Sequence, residues 1–282
     1  MVFYRLTRLC DRIGLRWLAR IIVFFIYTAK GQRIKSVRFN SALGLWEYRI
    51  GTSFFLTQYP SWFSNDEYYL QVLKKYSGHY YLPEPGDFVL DIGAGVGEEV
   101  LPLSQLVGAS GKVFAFEANP RTFQVLDYVC KQNNLTNTRT FNLAISGTSG
   151  SVFIDDDGGY GVQNSISEGG EGTKFKVNSI SIDDFMAGQS IEHIDLLKAN
   201  IEGAEQFLVE GMSNSISRIK RIAISCHDFR YESGESEFYK TYDKVFAFFQ
   251  HHFYLTRQQT GDAVRDYYLY GVNKNCGVNK AE

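Results

Sequence analysis

Cysteine is scarce in this 282-residue chain. The four present, Cys10, Cys130, Cys226 and Cys276, lie far apart. No two are spaced for a CxxC-type metal site, and nothing suggests a disulfide framework, so a reducing, cytoplasmic setting is the expectation. A long apolar run is also missing. The most hydrophobic stretch runs from Ile21 to Tyr27, far short of the ~20 apolar residues that a membrane span needs. Arg16 and Arg20 interrupt any longer one. Lys30-Gly31-Gln32-Arg33, which follows, does not resemble a signal-peptide cleavage site. A strong overall charge is absent too: the formal net charge is -2, so no nucleic-acid partner is expected.

The charges that are present are segregated. Residues 1–40 carry nine Arg or Lys and one acid, Asp11, for a net +8, and the remaining 242 residues carry -10. Arg5, Arg8, Arg12, Arg16 and Arg20 are spaced to share one side of a helix, with Phe3, Leu6, Ile13, Trp17, Leu18 and Ile21 on the rest. The 1–40 segment therefore reads as a basic amphipathic helix region. Two destinations follow for residues 1–30: peripheral contact with an anionic membrane, at its inner face, or packing on the rest of the protein with the arginines in water.

Residues 41–86 are crowded with aromatics, among them Trp46, Tyr48, Phe54, Trp62, Tyr76 and Tyr81. They are expected to form a cap or substrate-side segment ending at Pro83-Glu84-Pro85-Gly86. From residue 87 to about 275 strands and helices alternate, and 276–282 form a tail. Strands are expected at 88–92, 112–118, 138–146, 174–182, 194–201, 219–226 and 267–272, the last with a partner near 254–258. A long aromatic helix is expected at 236–253, and a hairpin with a loop at 147–173. This alternation predicts an α/β fold with a mostly parallel, doubly wound sheet covered by helices on both faces.

The sharpest motif is Asp91-Ile92-Gly93-Ala94-Gly95-Val96-Gly97, between a strand and a helix. Glycines let a ligand approach the backbone of so tight a turn, and crevices at the carboxyl ends of parallel strands hold nucleotide-like ligands. The dinucleotide pattern G-x-G-x-x-G fails, because Glu98 stands where its third glycine belongs. Glu98 and Glu99 at the helix start would repel a pyrophosphate. They would not repel S-adenosylmethionine, a nucleoside with a sulfonium cation and no phosphate. Glu117, ending the second strand, can accept both ribose hydroxyls.

Taken with Phe116-Glu117-Ala118-Asn119-Pro120, Asn142-Leu143-Ala144-Ile145-Ser146, Ile194 through Glu205 (IDLLKANIEGAE) and Ile224-Ser225-Cys226-His227, these residues resemble the FkbM-like family of S-adenosylmethionine-dependent methyltransferases over about residues 66–273. The resemblance implies a class I methyltransferase, Rossmann-like fold. It also implies, most often, O-methylation of a sugar on a glycan or glycosylated metabolite. Asp91, Gly93, Ala94, Gly95, Gly97, Glu117, Ala118, Asn119, Asn142, Ala144 and Asn200 are the expected donor-binding residues. Asn200 stands where many members carry Asp, so a carboxylate role there is not expected.

An alcohol acceptor needs a base as its proton leaves. His227, at a strand end beside Asn200 to Glu202, is the expected base. Glu202 is expected to orient it, bind the donor's amino group or contact the acceptor, and Asp228 to support it. No metal site is expected, for want of a ligand spacing. His79, His193, His251 and His252 have no supporting constellation. N-methylation of a small molecule or peptide, or a donor-binding module without catalysis, are the alternatives. Oligomeric state is not readable.

Overall fold

The computed structural model describes residues 2–60, 65–155 and 174–276. The chain begins with two helices, α1 (Val2–Arg12) and α2 (Arg16–Ala29). The single helix expected from the arginine spacing is broken at Gly14, whose φ of 79° is left-handed. The two helices fold back on one another, with the Phe3 ring 5.9 Å from that of Tyr27. They pack on an antiparallel meander of β1 (Ile34–Asn40), β2 (Leu45–Ile50) and β3 (Ser53–Thr57). The boundary expected at residue 40 thus falls in the β1–β2 turn, and 34–57 is one sheet. Cys10, Ala19, Val23, Val37, Trp46 and Tyr48 bury together here. Asp11 pins the layer, accepting hydrogen bonds from Arg16 Nε (3.0 Å) and Trp46 Nε1 (3.2 Å). Much of the aromatic richness is therefore core.

Helix α3 (Asp66–Lys75) is capped by Asn65, whose side chain accepts from the Tyr68 N–H. Then come β4 (Phe88–Ile92), α4 (Val100–Val107), β5 (Lys112–Phe116), α5 (Pro120–Gln132), β6 (Thr138–Phe141), β7 (Ala144–Ile145), β8 (Gly150–Asp155) and β9 (Lys174–Ile180). The chain closes with α6 (Ile182–Gly188), β10 (Leu196–Ala199), α7 (Glu205–Leu208), β11 (Arg221–Ser225), α8 (Asp228–Glu232), α9 (Tyr242–Phe249), β12 (Phe253–Thr256) and β13 (Tyr268–Asn273).

The main sheet runs β12-β13-β11-β10-β4-β5-β6. Strands β6, β5, β4, β10 and β11 are mutually parallel, and β13 is antiparallel to both its neighbours. Period-two alternation sends side chains to two cores. Leu90, Ile92, Phe114, Phe116, Leu197 and Ile224 face one side, and Val89, Val113, Ala115, Leu196 and Ala223 the other. This is the reversing, doubly wound order of the class I methyltransferase fold. Chain direction across the sheet switches between β4 and β10, which opens a crevice at their carboxyl ends.

Two expected elements differ. The strand at 138–146 is split, and its second part, β7, pairs with β9 in a small separate sheet with β8. The helix at 236–253 is short: a 3-10 turn covers Glu237–Tyr239, and α9 starts only at Tyr242. The carboxylate of Asp228 takes the N–H groups of Thr241 and Tyr242 (3.1 and 2.9 Å), which fixes a helix start there. The loop expected at 156–172 lies outside the described residues.

Candidate active site

Strand β4 delivers the glycine turn to the crevice. The N–H groups of Gly93 and Ala94 both donate to the Phe116 carbonyl (3.0 and 2.9 Å), binding the turn to β5. Gly93 has a φ of 74°, and a Cβ there would stand 2.0 Å from the Asn200 carbonyl oxygen, so only glycine fits. Gly95 donates its N–H to Glu117 Oε2 (3.0 Å), and the Asn119 N–H donates to Oε1 (2.8 Å). Burial pushes the Glu117 carboxyl up to about 7, against these two N–H groups, which favour its ionised form.

Two clefts meet at the turn. The first is bounded by Gly93, Gly95, Glu117, Ala118, Leu143 and Ala144, and the second by Glu99, Lys198, Ser225, His227, Phe229 and Tyr268. Gly93, Gly95, Asn200 and Glu202 border both. Asn200 Oδ1 is buried there without a hydrogen-bond partner among the described residues.

Several expected donor contacts prove to be supports. Asp91 is fully buried beneath the turn, its Oδ1 2.7 Å from Lys198 Nζ. The two residues face each other in the β4–β10 register. Lys198 also donates to the Gly93 carbonyl (3.1 Å) and reaches Glu99 (3.3 Å), so one buried cation gathers the turn, the sheet and the start of α4. Asn119 caps α5, its Oδ1 accepting from the N–H groups of Arg121 and Thr122. Asn142 Nδ2 donates to the carbonyls of Glu117 and Ala118 (2.9 and 3.0 Å), which shapes the end of β5. At Gly97 a Cβ would meet Leu126 at 3.1 Å, so this glycine lets α5 approach and does not face the crevice.

The catalytic set is rearranged most. His227 is buried between two carboxylates, with Nδ1 2.9 Å from Glu205 Oε1 and Nε2 3.4 Å from Glu202 Oε1. Burial disfavours its charge, but Glu205 and Glu202 outweigh that and push the imidazole up to about 10. An imidazolium has no lone pair for a proton, which removes the chemical basis of the base role expected for His227. Glu205 is fully buried and also accepts from the N–H groups of Ile201 and Gly203 and from the Thr241 hydroxyl. Glu202 has left-handed φ, 53°, rare for a residue with a side chain. Burial raises its pKa, but hydrogen bonds from His227 and Arg230 Nη1 (2.6 Å) hold it below the ordinary range. Asp228 does not support His227, because its Oδ2 is committed to the start of α9.

Sequence reasoning missed Glu205, Lys198 and Arg230 as partners. The first two lie in the motif at 194–205, and only their packing shows what each holds. His193, without a constellation in the sequence, lies 3.4 Å from Asp195 at the other end of β10.

Residues 91–259 match the family model described as the methyltransferase FkbM domain. No curated protein matches the chain. Among solved structures, the chain is similar to the methyltransferase FkbM from Methylobacillus flagellatus KT, with 18% identity over 73% of this chain and 50% of that one (TM-score 0.47). The chain thus spans about half the length of that protein. It is similar to the Aeropyrum pernix fibrillarin bound to S-adenosyl-L-methionine, at 15% identity over 85% and 99% (TM-score 0.42). It is also similar to an O-methyltransferase from Bacillus cereus, at 12% identity over 73% and 79% (TM-score 0.44). With more than half of its length matched by the FkbM model, this chain belongs to the FkbM-domain family of S-adenosylmethionine-dependent methyltransferases.

Proposed function

We propose that the protein methylates a hydroxyl oxygen of a sugar, on a glycan or glycosylated metabolite. The observation that carries this reading is the makeup of the second cleft. Tyr76, Phe229 and Tyr268 stand there with Glu99 and Glu202. Aromatic faces cover the apolar side of a sugar ring, and carboxylates accept from its hydroxyls.

S-adenosylmethionine, when bound, supplies a methyl carbon activated by its sulfonium. The first cleft fits the nucleoside: Glu117 would take the ribose hydroxyls, and Ala118, Leu143 and Ala144 would cover the adenine. The acids Glu98 and Glu99 at the start of α4 suit a cation and not a phosphate. Asn200 borders both clefts, and its buried Oδ1, without a partner among the described residues, is the acceptor assigned to a donor group of the ligand. Glu202 borders both clefts and is held ionised, so it is the group assigned to orient the acceptor hydroxyl by accepting its hydrogen bond, and to take its proton only as the new C–O bond acidifies it and the thioether leaves. His227 and Arg230 are positioning residues, each bonded to one oxygen of that carboxylate.

The test is transfer from methyl-labelled donor to a panel of sugars, with the product bond identified by mass spectrometry. An ether on a sugar oxygen is the expected product. Label found only on amines would overturn the reading in favour of N-methylation. Glu202→Gln should lower kcat by about 100-fold or more while donor Kd stays unchanged.

A further inference from the structure

The helical pair at the start of the chain buries one side and leaves another unpartnered. Helix α1 turns Thr7 and Cys10 inward, and α2 turns Ala19 and Val23 inward. Outside, Trp17, Ile21 and Phe25 form a stripe along α2, four residues apart, with Trp17 62% and Phe25 67% exposed. Leu6 and Leu9 on α1, with Ile13 just past its end, form a second exposed stripe, with Ile13 59% exposed. So many large apolar groups standing in water on one short segment mark an interaction surface.

The neighbouring charges say what kind. Arg5, Arg12 and Arg20 are exposed, and among the described residues no acid pairs with them. Arg5, Arg8 and Arg12 line one shallow groove on α1, where Arg8 lies over the Tyr59 ring (3.7 Å). Asp11, the single acid of residues 1–40, is taken by Arg16 and Trp46. A second copy of this chain on the same face would set arginine against arginine. An anionic surface would meet no opposing charge.

We propose that the outer face of α1 and α2 docks on a bilayer containing anionic lipids. Arg5, Arg8, Arg12 and Arg20 hold the headgroup phosphates, and the apolar stripes enter the acyl boundary. No helix among the described residues is long and apolar enough to cross a membrane. At about 1.5 Å per residue, the 14-residue α2 is shorter than a ~30 Å hydrocarbon core. The pair therefore lies along the interface. Its inner side is part of the same apolar cluster as Leu101 of α4, so docking fixes the orientation of the catalytic crevice over the membrane. Packing and membrane contact, alternatives in the sequence, are here two sides of one element.

The experiment uses the full chain, with sedimentation on phosphatidylcholine vesicles containing phosphatidylserine and on phosphatidylcholine alone. Trp17 emission is followed with brominated lipids as quencher. Binding to the anionic vesicles only, weakened by salt, is expected. The triple variant Arg5→Ala/Arg12→Ala/Arg20→Ala should bind on the order of a hundredfold more weakly. Trp17→Ser/Ile21→Ser/Phe25→Ser should lose binding and the quenching. All six side chains are exposed, so the unfolding midpoint of each variant reports whether the fold is intact. Failure of the wild type to sediment with anionic vesicles would overturn the proposal. Equal binding to both lipids would do so too, as would a wild-type dimer that the serine variant converts to monomer without any vesicle binding.

Discussion

Replacing Glu205 by Gln tests the electrostatic account of the site most directly. Glu205 is fully buried, and its two oxygens accept four hydrogen bonds, from Ile201 N (3.2 Å), Gly203 N (3.0 Å), His227 Nδ1 (2.9 Å) and Thr241 Oγ1 (3.3 Å). Gln removes the charge and turns an N–H against at least one of these donors. Breaking one partner out of a buried ion pair costs about 3–5 kcal/mol. The pH dependence separates this charge effect from simple loss of packing. His227 titrates near 10 in the folded chain and near ~6.5 unfolded. Its folded pKa is raised, so its contribution is complete below about 6.5 and falls as pH rises through 10. Between pH 6 and pH 9 that amounts to about 3 kcal/mol, at ~1.4 kcal/mol per pH unit above 6.5. Urea unfolding at the two pH values should show this loss in wild type and a clearly smaller one in Glu205→Gln, where only Glu202 still raises His227. In wild type alone, the nitrogen resonances of His227 should remain those of an imidazolium through pH 8. Equal pH sensitivity in both proteins, or a His227 that titrates near 6.5, would refute the account.

Two further outcomes are expected. Glu117 must be ionised to accept ribose hydroxyls, and its empty-site value is about 7; donor affinity measured by calorimetry should therefore fall about tenfold per pH unit below 7 and level off above it, whereas a flat profile would remove Glu117 from the donor site. Asp228→Ala should cost about 1–2 kcal/mol of stability by uncapping α9 with kcat unchanged, and a large fall in kcat at unchanged stability would return Asp228 to the catalytic set.

Some of this protein could be read along the chain because the controlling interactions are local. The apolar residues within 88–92 and 219–226 are neighbours in the chain, and Gly93 sits in a turn whose geometry only glycine tolerates. Glu117 follows its strand directly, and both of its hydrogen bonds come from N–H groups near strand ends. Asn142 and Asn119 follow β6 and β5, and their side chains turn to the backbone. Amide side chains have many nearby carbonyls and N–H groups to satisfy, and spacing does not say which one wins.

Residue order alone determined that residues 87–275 alternate strand and helix, that a phosphate-free nucleoside suits the glycine turn, and that the first helices are basic and apolar together. Tertiary structure alone decided the charge of His227, because Glu202 and Glu205 reach it from the loop after β10 and the start of α7, and a pKa depends on distance and burial. It also decided that Lys198 belongs to Asp91, across a register set by the sheet. The arginine stripe is divided by the same kind of contact. One left-handed glycine breaks the helix, and packing against β1–β3 selects which side stays exposed.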